Sequence, residues 1–138
     1  MPNRWLSIAF CSALFSAALW SQEDTAEQGR FAGTWQAKFN GSVFLTLRLE
    51  AGARMSGVLS TGRITVDKDG ELTQAEPSPE GKESDIMHAR FPAGSLTFEI
   101  EDDGEVTKFE MRITAASKAE LRFLGQPVKI KPIPLDRV

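Results

Sequence analysis

Chemistry-bearing side chains are scarce in this chain. Its 138 residues hold one cysteine, one histidine and no tyrosine. Cys11 lies in the apolar stretch that opens the sequence, so the rest of the chain has neither disulfides nor thiol chemistry. With His88 alone, a zinc-type ligand set is incomplete and a serine triad would have to rely on that one ring. Basic clusters are lacking too. Arg4 is the only charged residue before Glu23; setting it aside, residues 22–138 carry 15 basic and 19 acidic side chains, a net charge of −4. That balance excludes nucleic acid and anionic membrane surfaces as natural partners.

The opening "MPNRWLSIAFCSALFSAALWSQEDTAEQ" places Arg4 before an apolar run from Trp5 to Trp20 and then turns polar. This is the build of a secretory signal peptide, 1–21, cleaved after Ser21 to leave a single domain, 22–138. A 16-residue helix would reach about 24 Å, short of a ~30 Å hydrocarbon core, so no stable membrane insertion is expected. Phe10 before Cys11 argues against lipidation. The expected location is secreted or periplasmic, and the mature chain must be held together by core packing.

Beyond the signal, the pattern is alternation punctuated by turn residues: "NGS", "EAGAR", "DKDG", "FPAGS", "EDDGE", "LGQP". Strands are expected at 31–39, 43–50, 55–61, 63–67, 71–75, 85–91, 95–101, 105–114, 119–124 and 127–131. Pairing apolar with apolar fixes the register of two hairpins. A two-residue turn at Asp103-Gly104 sets Phe98 against Phe109, Leu96 against Met111 and Glu99 against Lys108. A three-residue loop, Asn40-Gly41-Ser42, sets Trp35 against Leu47, Ala37 against Leu45 and Phe39 against Val43. The inner face then includes Val43, Ile64, Val66, Leu72, Met87 and Ala89, and the outer face is Thr, Ser, Lys, Arg and Glu. An all-β fold results: a closed antiparallel up-and-down barrel of about 8–10 short strands, with a two-sheet sandwich as the alternative.

Gly33-Thr34-Trp35 at the head of the first strand resembles the opening motif of the calycins, the lipocalin and fatty-acid-binding superfamily. The resemblance implies that Trp35 plugs one end of the barrel beneath a basic residue near the last strand, Arg122 or Arg137. The chain is also similar to small secreted bacterial domains of unknown function, through "GTW", "VDKDGEL", "TKFEMR", "AELRFL" and "IKPIPL". The first likeness implies binding of a small hydrophobic ligand; the second implies no activity.

Other motifs reduce to turns. "DKDGE", Asp67 to Glu71, lacks the remaining ligands of a calcium loop, and "EDDGE", Glu101 to Glu105, would sit on a hairpin tip in water. His88 is expected to face outward between Met87 and Ala89. These residues suggest no catalytic residue, metal site or cofactor; they suggest a non-enzymatic binding protein. Two versions remain open. A barrel ligand would be lined by Trp35, Leu47, Met87, Phe91, Phe98, Phe109, Met111 and Phe123. Alternatively those side chains fill the interior, and the barrel is a scaffold or inhibitor whose protein contacts use an outer patch of Phe44 and Val58 with the 75–84 loop.

Overall fold

The computed structural model describes residues 26–79 and 81–138; the expected signal segment 1–21 and Cys11 lie outside the described residues. Ten strands come after a short helix over residues 26–31. They are β1 (Gly33–Phe39), β2 (Ser42–Glu50), β3 (Ser56–Thr61), β4 (Ile64–Val66), β5 (Leu72–Ala75), β6 (Ser84–Arg90), β7 (Leu96–Asp102), β8 (Glu105–Ala115), β9 (Lys118–Leu124) and β10 (Ile133–Arg137). Eight of them close into an antiparallel up-and-down barrel in the order β1-β10-β9-β8-β7-β6-β3-β2, and β4 with β5 forms a separate two-stranded sheet. Closure removes every barrel edge that could template aggregation.

The β7–β8 hairpin pairs as its alternation demands. Phe98 faces Phe109, Leu96 faces Met111 and Glu99 faces Lys108. Asp103 (φ 51°) and Gly104 (φ 82°) make the primed two-residue turn whose twist suits flanking strands. The aromatic line continues into β9, where Phe123 meets Phe109 at 4.8 Å between ring centres.

Bulges and a proline account for the departures of β1–β2, β6 and β10 from the sequence expectation. Asn40 (φ 51°) and Gly41 (φ 81°) form a two-residue turn, not the expected three-residue loop. The pairs Trp35–Leu47 and Ala37–Leu45 hold, but the register shifts between Ala37 and Lys38, so Val43 faces Lys38 and Ser42 faces Phe39. The extra residue on β2 is Phe44. A bulge places two successive side chains on one side of the sheet, and Phe44 and Leu45 are accordingly both in the core, 2% and 0% exposed. Phe44 is therefore not on an outer patch. Val43 takes the outer position instead.

A second shift, on β6, lies between Met87 and Arg90. Ile86 pairs with Ile100 on the inner face, while Met87 pairs with Glu99 on the outer one. Met87 is thus excluded from the interior lining. The last strand is Ile133–Arg137, not 127–131. Pro134 sits where β10 still pairs with β9 but its ladder with β1, limited to Trp35–Arg137 and Gln36–Asp136, has ended. Its missing N–H therefore costs no ladder bond to β1.

Ile64, Val66 and Leu72 are a further correction, since they belong to the β4–β5 hairpin rather than the barrel. The chain leaves the barrel at Gly62, whose N–H donates to Phe44 O at 2.9 Å. A Cβ there would stand 1.8 Å from Glu76 O, so the crossing of the two segments requires glycine. The hairpin then lies across the barrel end that carries the 40–41 and 103–104 turns. Its tip reaches the β9–β10 link, where Lys131 N donates to Gly70 O at 2.9 Å. Ile64, Leu72 and Ala75 pack their apolar sides against the core.

Candidate functional site

The two ends of the barrel are closed in different ways. At one end, Gln28 and Phe31 stand three residues apart on the 26–31 helix, both buried. Trp35 lies beneath them and its indole N–H donates to Phe31 O at 2.9 Å. Arg137 covers the indole face, its guanidinium carbon 4.3 Å from the ring centre, and donates to Ala32 O and Arg30 O at 2.7 and 2.8 Å. Arg137 is thus the basic residue that the resemblance implied; Arg122 pairs with Glu110 on the outside of β9. The motif glycine is explained as well. Gly33 has φ 131°, and a Cβ would lie 3.2 Å from Arg137 Nη1.

Between the ends, the inward-facing side chains pack on one another, Trp35, Leu47, Phe98, Phe109 and Met111 of the expected lining among them. Trp35, Leu45, Leu47, Leu96, Met111, Leu121 and Leu135 are all 0% exposed. Solvent does not reach these side chains, and they belong to one continuous apolar cluster. Phe98 and Phe109 stack at 5.3 Å in the same cluster. Phe123 and Phe91 are partly buried and pack against it, Phe91 near the helix end at 5.8 Å from Phe31.

An apolar recess lies at the other end, where the hairpin meets the β9–β10 link; a larger one on the wall is lined by His88, Phe98, Phe109 and Leu124 together with charged side chains. The recess at the barrel end has a volume of about 290 Å3. Phe44 forms its floor; Val66 and Leu72 come from the hairpin, Ile130 and Pro134 from the link and β10, and Lys38 and Lys131 stand at the rim. Lys131 Nζ donates to Glu71 Oε1 at 2.8 Å. This bond and the Glu71 charge raise the Lys131 pKa above its ordinary value, with Asp67 adding to the effect. Link and hairpin are therefore held together by a charged and a backbone hydrogen bond. Sequence reading missed this recess because its walls come from segments that alternation placed elsewhere, the hairpin in the barrel wall and 127–131 in a strand.

The outer wall carries the remaining expected contacts. Val58 faces outward as expected, opposite Arg48 and beside the Arg48–Glu83 ion pair. The 75–84 loop is tied to the wall by Ser78 Oγ donating to Phe44 O at 3.2 Å, by that ion pair, and by Lys82 near Asp102; residue 80 lies outside the described residues. Phe44 and Val58 do not share a surface.

His88 occupies the β6 bulge in a left-handed conformation (φ 55°), with its side chain 66% exposed. Its Nδ1 lies 2.5 Å from Glu99 Oε2. That hydrogen bond holds the Glu99 carboxyl below the usual range; partial desolvation opposes it, and the His88, Lys108 and Arg90 charges reinforce it. A carboxylate with a depressed folded pKa contributes stability above its unfolded value, lost as pH falls through the folded one. An NMR titration should find Glu99 titrating below the ordinary glutamate value, and His88→Ala should raise it back toward that value. Among the described residues no three metal-binding side chains converge, and no helix is long and apolar enough to cross a membrane.

The closed eight-stranded barrel with Trp35 under Arg137 is consistent with a calycin-like fold. Comparison with family models, curated proteins and solved structures finds no match for this chain, so the likeness rests on architecture.

Proposed function

We propose that this chain is a secreted or periplasmic binding protein without catalytic activity, a filled calycin-like barrel that carries a small apolar ligand in the recess at its hairpin-covered end. The observation that supports this reading most is the contrast in packing between the middle and that end. The solvent-free cluster of the middle favours side chains over a ligand there, whereas the recess beside Phe44 offers about 290 Å3 between largely apolar walls. That volume sits at the small end of ligand pockets, suiting a molecule of one or two rings or a short chain. The signal-like residues 1–21 and the calycin resemblance support the location and the binding class.

Fluorescence of N-phenyl-1-naphthylamine, a neutral apolar probe, tests the reading. The chain should enhance its emission saturably, and Leu72→Glu should weaken binding about tenfold or more by putting a charge against an apolar wall. The variant should keep its thermal midpoint within a few degrees, because Leu72 is only partly buried. Undiminished binding in a folded Leu72→Glu protein would place the ligand elsewhere.

A further inference from the structure

Building on the recess as the binding site, we infer that its ligand is a monoanion: a small organic carboxylate whose apolar body lies against Phe44 and Leu72 and whose carboxylate meets Lys38. Two ammonium groups and one carboxylate, Glu71, border the recess. Glu71 is already committed to Lys131 at 2.8 Å. Among the described residues Lys38 makes no ion pair, so its ammonium is the lining cation left to meet a ligand's carboxylate. Its position is set by the β1–β2 register: the bulge that turns Phe44 inward sets Lys38 opposite Val43 on the outer face, and both Lys38 and Phe44 line the recess.

The same inventory argues against other charge classes. A cationic ligand would meet Lys38 with like charge while Glu71 is occupied. A phosphate or other dianion would want a fork of donors, and the lining holds no arginine. A neutral apolar molecule would fit the walls yet leave the Lys38 charge solvated by water alone. A single carboxylate on an apolar body matches both the walls and the unpaired Lys38 ammonium.

Backbone-amide NMR titrations with 3-phenylpropionate and its uncharged amide, 3-phenylpropionamide, test this at neutral pH and low salt. The acid should bind about fivefold tighter than the amide, the scale of one exposed ion pair. Shifts should centre on Lys38, Leu72 and Ile130. Lys38→Met should reduce the acid to the affinity of the amide, and Lys38→Arg should retain the preference. Equal affinity of acid and amide for the unaltered protein would overturn the monoanion inference while leaving the recess as a binding site. Absence of binding by both, or shifts centred on Met111 and Leu121, would overturn the inference and the site together.

Discussion

Phe44→Ser is expected to destabilise the fold by about 3–5 kcal/mol, the range for emptying a buried phenylalanine site. The ring is 2% exposed and belongs to the core cluster, so its removal leaves a cavity under the hairpin. The serine hydroxyl adds a desolvation cost of roughly 1–3 kcal/mol if it finds no partner there. For a domain whose total stability is about 5–15 kcal/mol, that is a large share. With a urea m-value near ~2 kcal/mol per M, the unfolding midpoint should fall by roughly 2 M. Because Phe44 O accepts hydrogen bonds from Gly62 N and Ser78 Oγ, hydrogen-exchange protection of the hairpin segment should fall along with global stability. An unchanged midpoint would return Phe44 to the surface and undo the β2 register.

Trp35→Ala is the other large effect. Truncating a fully buried tryptophan costs about 3–5 kcal/mol, and here three elements lose a common partner. The indole joins β1 to the helix through the 2.9 Å bond to Phe31 O and to β10 through the Arg137 stack. A cation over an indole contributes about 0.5–2 kcal/mol from exposed to desolvated sites, and half-buried Arg137 falls between them, so the variant also strands its guanidinium over a cavity. Trp35→Phe separates the contributions. It keeps most of the apolar volume and a face for Arg137 but loses the indole N–H donor, and should cost about 1–3 kcal/mol. Urea unfolding should therefore rank wild type above Trp35→Phe and that above Trp35→Ala. Equal loss in both variants would mean that the hydrogen bond, not the packed ring, dominates at this end.

The ease of reading the sequence varied with how many signals agreed. At β7–β8, aromatic, charge and turn signals all favour one register, and that register forms. At β1–β2 they conflict: the apolar run Val43-Phe44-Leu45 suits a longer loop, while Asn40-Gly41 asks for a primed turn. A bulge satisfies both, and alternation has no means of representing one. The same blindness affects β6, where a non-glycine residue, His88, takes the left-handed position. β10 was hidden by its prolines, although Ile133 and Leu135 keep the inward alternation. Ile64, Val66 and Leu72 carry a barrel-like pattern, because packing over a barrel end requires the same one-sided apolarity as packing in its wall. Trp35 and Arg137 were legible through the motif, whereas the recess combines residues 38 to 134 and emerges only once the hairpin is seen to leave the barrel.

The central claim is that the interior is filled and that ligand binds outside it. Overpacking Phe98 tests this most directly. The ring is 1% exposed and stacks 5.3 Å from Phe109, so Phe98→Trp should cost about 1–3 kcal/mol in urea unfolding. Under conditions where the variant remains folded, its affinity for N-phenyl-1-naphthylamine should equal that of the unaltered protein. A Phe98→Trp protein with full stability and no probe binding would contradict the account, because the indole would then be occupying a ligand cavity inside the barrel.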